Sequence, residues 1–237
     1  MIHIKIVILA VALCLAVVSI SCSKQTDTDI AEDQRVLQLE ELAQKRQARE
    51  GELAEMNVVE LLNELQRESE ERVEPFNSMS YRELVSRGEQ AASEVKTSLA
   101  EATRVSFLGL LALRQLSTGA YGELESSFRV AVLIDALRTS EYFNAWGLPH
   151  LYWEDAASAI IAEGEVAREP LTALLRDRRP APSWGSEEAL ESSKYGYRVR
   201  DYAWALLNAI DARKIEIPVD PTQRDDMISS EGAEGPG

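Results

Sequence analysis

Tyr197 to Ile210 reads YRVRDYAWALLNAI, and its spacing decides the fold class. Val199, Tyr202, Ala203, Leu206, Leu207 and Ile210 recur at i, i+3, i+4, i+7, i+8 and i+11, which is one apolar face of an α-helix. Arg198, Arg200, Asp201 and Asn208 fall on its other faces. The segment before it, GEVAREPLTALLRD from Gly164 to Asp177, places Val166, Leu171, Leu174 and Leu175 on a comparable stripe. Its Pro170 is expected in the first turns, where a missing N–H costs little. Two amphipathic helices that must bury each other make a helical pair.

Working outward, the pair has an echo upstream. Gly88, Glu89 and Ala91 match Gly164, Glu165 and Ala167, and Arg104-Val105, Phe107 and Leu110-Leu111 match Arg198-Val199, Tyr202 and Leu206-Leu207. Self-similarity on this scale marks stacked helical units. The valine-arginine entry of Val199 and Arg200, followed by Ala203 and the pair Leu206-Leu207, resembles the second helix of a HEAT-type repeat, with Asp177 closing the first. The first match is offset by 76 residues and the second by 94, so the later copy carries an insertion of 18. That insertion, RRPAPSWGSEEALESSKYG, reads as a surface loop and separates Asp177 from Arg200, against the family's ladder contact. The resemblance covers about residues 78 to 211. It implies an all-α fold, a short α-solenoid of stacked antiparallel helix pairs (HEAT/ARM-like), preceded by a charged helical spacer.

The chain begins MIHIKIVILAVALCLAVVSIS, an apolar run after Lys5 with small residues directly ahead of Cys22. That is the pattern of a secretory signal. It resembles a bacterial lipoprotein signal, although Ser19 stands where that class usually has leucine. The resemblance implies cleavage after residue 21 and acylation of Cys22. Ser23 after the cysteine implies sorting to the periplasmic face of the outer membrane in a Gram-negative envelope. An uncleaved anchor is the competing reading, because the uncharged run from Ile6 to Ser23 reaches 18 residues, the lower limit for a membrane span. With Cys14 removed and Cys22 lipidated, no thiol is left for a disulfide, a metal or a nucleophile.

Residues 22–56 are expected to be a lipid-anchored tether and charged spacer. Leu39, Leu42, Leu53 and Met56 fit a heptad, but Arg46 and Arg49 occupy its core positions, so a solvated helix is preferred to a coiled coil. Residues 57–228 are the helical domain. Asn57 should cap its first helix, with Glu60 in capping-box position, and Val105 to Leu116 should lie centrally because it is apolar on nearly every side. Gly119 to Gly122 should break the chain, and Leu124 to Leu137 should form the next helix. Asp220 and Pro221 open a last short helix, and residues 229–237 are expected to be a disordered tail.

Lys+Arg number 25 against 40 Asp+Glu, a net charge of −15 and a pI of ≈ 4.7. This excludes nucleic acid as a natural partner and leaves solubility or a basic protein partner. His150 is the sole imidazole outside the signal. No nucleophile elbow, zinc-ligand spacing, P-loop or dinucleotide glycine pattern is present, so no cofactor and no catalysis are expected. Acid pairs such as Glu154-Asp155 and Glu187-Glu188 leave open an alternative, a carboxylate enzyme or binding protein acting on cell-wall glycan.

All four tryptophans, Trp146, Trp153, Trp184 and Trp204, lie in one 59-residue span. Either they pack the repeat interface and pin the insertion, or some line a groove for a partner. The candidate partner-binding residues are Trp146, His150, Tyr152, Trp184, Tyr195, Tyr197 and Arg200. His150 by itself reads as a helix-entry residue capping a backbone group. The expected protein is a membrane-anchored envelope lipoprotein that binds a protein partner as scaffold or adaptor. A passive structural lipoprotein is the remaining alternative.

Overall fold

A reciprocal cap opens the domain. Asn57 N–H donates to Glu60 Oε2 at 2.8 Å, and Glu60 N–H donates to Asn57 Oδ1 at 3.0 Å, satisfying two amides that the first turn leaves orphaned. Asn57→Ala is expected to cost about 1 kcal/mol in urea denaturation, the usual value of an N-cap.

The computed structural model describes residues 27–70, 75–99, 104–139, 145–181 and 188–233. The signal, Cys22 and Trp184 lie outside them. The chain divides into two units at Glu52 and Leu53. The first holds most of helix α1 (Asp27–Glu55). Val36, Leu37, Leu39 and Leu42 are exposed on it, and Lys45 pairs with Glu41 and Arg46 with Glu50 one turn away. The boundary falls four residues earlier than Asn57, because Leu53 is already a core residue.

Among the described residues, the second unit is all-α apart from one short hairpin and an isolated bridge. Its helices are α2 (Val58–Glu70), α3 (Met79–Ser86), α4 (Glu89–Ser98), α5 (Arg104–Leu116), α6 (Thr118–Gly122) and α7 (Ser126–Thr139). Strands β1 (Gly147–Leu148) and β2 (Tyr152–Trp153) follow, then α8 (Asp155–Ala162), α9 (Glu165–Leu174), α10 (Glu188–Tyr195), α11 (Val199–Ile210) and α12 (Pro221–Ala233). Helix α5 packs on α2, α4 and α7. Phe107, Leu108, Leu110, Leu111, Ala112 and Leu113 are all buried, as a helix apolar on every side requires. Helix α9 packs on α11 and α7, and α11 on α8.

The repeat seen in the sequence has a structural counterpart. Gly88 and Gly164 both take positive φ, 60° and 55°, which glycine adopts without a Cβ penalty. Around each, the same bonds recur. Gly88 N–H donates to Val85 O at 3.2 Å and Gly164 N–H to Ile161 O at 3.1 Å, while Ala91 and Ala167 N–H donate back to the two glycine carbonyls at 3.1 Å. Equivalent pairs Leu84/Ile160, Ala91/Ala167 and Val95/Leu171 are core residues in both copies. The α3–α4 and α8–α9 turns are therefore one local design used twice.

The residue before each glycine ties down a preceding helix end. Arg87 donates to the carbonyls of Met56 (2.6 Å), Leu53 (3.0 Å) and Ala54 (3.2 Å). Its counterpart Glu163 holds Arg129 at 2.6 Å, and Arg129 in turn donates to the carbonyls of Tyr121 and Leu124. Both devices satisfy carbonyls that a helix terminus leaves open.

Several expectations need correction. The break expected at Gly119–Gly122 is helix α6, capped by Ser117. The insertion is more than a loop, since it carries α10, and an isolated bridge joins Pro180 to Arg198. Ser229–Ala233 belongs to α12 rather than to a disordered tail. Pro170 sits inside α9 at its sixth residue, and the helical bond it withholds is to the carbonyl of Val166, which is exposed and can bond water. Arg200, Asp201 and Asn208, which lie off the apolar stripe of α11, are buried as well.

Candidate functional site

The site begins at the hairpin. Gly147 takes φ +74°, and a Cβ there would lie 2.5 Å from Tyr152 O, so only glycine fits. Gly147 pairs with Trp153 and Leu148 with Tyr152 in antiparallel register. Leu151 N–H donates to Leu148 O at 2.8 Å, closing a β-turn with Pro149 at its second position, where proline's fixed φ belongs. The Tyr202 hydroxyl of α11 donates to Gly147 O at 2.7 Å and pins the hairpin to the core. His150 occupies the third position of this turn.

From there a stack of rings runs inward. His150 lies on Tyr195, centroids 4.0 Å apart and planes 20° from parallel. Tyr195 stacks on Tyr197 at 5.1 Å, and Tyr197 meets Tyr202 edge-on at 5.6 Å. His150 Nδ1 is 2.7 Å from the Tyr197 hydroxyl, and Nε2 is 3.7 Å from Glu191 of α10. Burial holds the imidazole below the usual histidine range, against the pull of Glu191 and with some help from Lys194. Burial likewise pushes the Tyr197 and Tyr202 phenols well above theirs.

Beneath the rings lies an ion network. Arg224 of α12 is 0% exposed, and its guanidinium lies 5.4 Å from the Tyr197 centroid. It donates to the carbonyls of Pro218, Val219 and Tyr195, each at 2.8 Å, and faces buried Asp201 at 3.3 Å. Asp201 also accepts from Arg198 at 2.9 Å. Asp225 takes Arg198 at 2.6 Å, Arg200 at 3.3 Å and Arg178 at 3.4 Å, and Arg198 holds its carboxyl below the usual range. Arg200 goes the other way, because burial lowers it despite Asp225.

The sequence-predicted residues therefore separate. His150, Tyr195 and Tyr197 come together in one stack, with Tyr152 half-buried on the neighbouring strand. Trp146 is a core residue, 1% exposed and parallel to Phe107 at 6.2 Å. Arg200 is buried on Asp225, while the Asp177 carboxylate is held by Arg179; only the backbone joins Asp177 to Arg200, at 2.9 Å. Burial puts Trp146, Tyr197 and Arg200 on the packing side of the two readings. His150 sits in a β-turn and bonds a phenol, not a helix-entry backbone group.

Sequence reasoning missed Arg224. The available signal was its spacing: it stands four residues after the Asp220 cap and four before Ile228, which is also buried, so both share the inward face of α12. Among the acid pairs, the Asp155 carboxylate accepts from Gln115 at 2.9 Å and faces Arg114 at 3.5 Å. Among the described residues, no group of three or more His, Cys, Asp or Glu could hold a metal ion. Comparison with protein-family models, curated proteins and solved structures finds no match to this chain.

Proposed function

We propose that the protein is an envelope lipoprotein, anchored through Cys22, whose helical domain holds a protein partner at the surface shared by the hairpin turn and α10. The observation that supports this is a pair of leucines. Leu151 is 64% exposed and Leu190 77% exposed, and they stand next in the chain to His150 and Glu191, which face each other at 3.7 Å. Two large aliphatic side chains in water beside a rigid aromatic stack form an anchor of the kind protein interfaces use. The stack beneath supplies rigidity rather than contact.

Crosslinking in envelope membranes tests the reading, comparing wild type with the double variant Leu151→Asp, Leu190→Asp and with Cys22→Ala. A discrete crosslinked species is expected in wild type and not in the leucine variant, whose substitutions leave the core untouched. Cys22→Ala should lose fatty-acid labelling and leave the membrane fraction. Identical crosslinks in wild type and the leucine variant would move the partner elsewhere, and none in either would leave the passive structural role.

A further inference from the structure

We infer that His150 is a proton-operated latch on the insertion helix, holding α10 against the hairpin turn when neutral and releasing it when protonated. The inference stands on the geometry of this joint and needs neither the lipid nor a partner.

Helix α10 is thinly attached. Leu190, Ser193 and Lys194 are exposed and Glu191 is half-exposed. Among the described side chains, it is held by the Tyr195 ring stacked between His150 and Tyr197 and by the Tyr195 carbonyl bonded by Arg224, while Glu191 lies 3.7 Å from His150, an ion pair only when the ring is charged. One of the two ties of the neutral state runs through the imidazole. Elements with so little buried contact open at low free energy, so a change of charge at that ring is enough to move the equilibrium.

The sign follows from the hydrogen bond. Tyr197 is buried, and its hydroxyl needs an acceptor; Nδ1 at 2.7 Å is the one it has. The neutral ring therefore accepts at Nδ1 and carries its proton on Nε2, facing Glu191. A second proton would enter at Nδ1, placing an N–H against the phenol and leaving the phenol's own hydrogen without an acceptor. The compensation is a half-exposed ion pair with Glu191 at 3.7 Å, opposed by Lys194 of the same helix. Beyond Tyr197 stand Arg224 of α12 and Asp201 and Tyr202 of α11, already engaged with one another or with Gly147. Burial outweighs Glu191, so the folded-state value lies below the ordinary one. A lowered value means that His150 contributes stability above about pH 6.5, which is lost as pH falls through the folded-state value.

The test uses the full chain. Proton NMR titration, with the His150 signal assigned by its absence from His150→Gln, should place the His150 midpoint below the ordinary imidazole value of about 6.5. Amide exchange across 190–195, corrected for intrinsic rate, should quicken about tenfold or more between neutral pH and about pH 5 in wild type. His150→Gln should lose that dependence. Tyr197→Phe removes the hydroxyl that occupies Nδ1, so the midpoint should rise and the loss of α10 protection should move to higher pH with it. A wild-type midpoint above the ordinary value, or α10 protection equal at both pH values, overturns the latch. If His150→Gln loosens α10 at every pH, the Tyr197→Phe comparison decides, and a midpoint that shifts without the exchange overturns it as well.

Discussion

Arg224→Ala is expected to destabilise the domain by about 3–5 kcal/mol, the cost of stripping one partner from a buried ion pair. The guanidinium joins Asp201 on α11, the Tyr195 carbonyl at the end of α10 and the carbonyls of Pro218 and Val219 before α12. Removing it leaves three carbonyls without the donor they now bond, and Asp201 with Arg198 as its remaining cation. Arg224→Met separates packing from bonding. It restores most of the volume but no donor, so it should recover only a small part of the loss. Arg224→Lys should also fall short, because one ammonium cannot reproduce a planar fork that reaches carbonyls on two sides. Urea denaturation with unchanged m-value is the measurement, and a loss under about 1 kcal/mol for the alanine variant would show that the network is replaceable by water.

That network also marks where sequence reasoning stops. Periodicity located α5, α7, α9 and α11, because an apolar residue every three or four positions is a local property of the chain. The Asn57–Glu60 box and the Asp220–Pro221 start were legible for the same reason, as their partners lie within three residues. The doubled glycine turn was visible as an echo of Gly88 in Gly164. What could not be seen was the inward turn of Arg200, Asp201 and Asn208. Local pattern puts polar residues outside; the arrival of α12, with Arg224 and Asp225, makes the burial of Arg200 and Asp201 tolerable, and Asn208 bonds the Trp204 carbonyl of its own helix. His150 was misplaced for a related reason. Its partner Tyr197 is 47 residues away, and nothing near His150 announces a phenol.

Glu163→Gln is the second large effect, with an expected cost of about 3 kcal/mol and a distinctive pH dependence. The Glu163 side chain is 4% exposed and accepts from Arg129 Nε at 2.6 Å, from Arg129 again at 2.8 Å and from Ser126. Burial alone would raise its carboxyl, but Arg129 and Ser126 override it and hold the group below the usual range. A depressed carboxylate contributes stability that is present above about pH 4.3, the ordinary glutamate value, and is lost as pH falls through the folded-state value. Wild type should therefore lose stability more steeply on acidification than Glu163→Gln, and the two curves should converge at low pH. The repeat supplies the control. Arg87 stands at the equivalent turn and bonds three carbonyls of the preceding chain without an intermediary. Arg87→Ala, made in a Glu83→Gln background because Glu83 pairs with Arg87 at 3.0 Å, should weaken its helix terminus, yet that loss should not fade over the same acid range, because carbonyls do not titrate there. Parallel acid profiles for the two variants would mean that Glu163 does not act through its charge on Arg129.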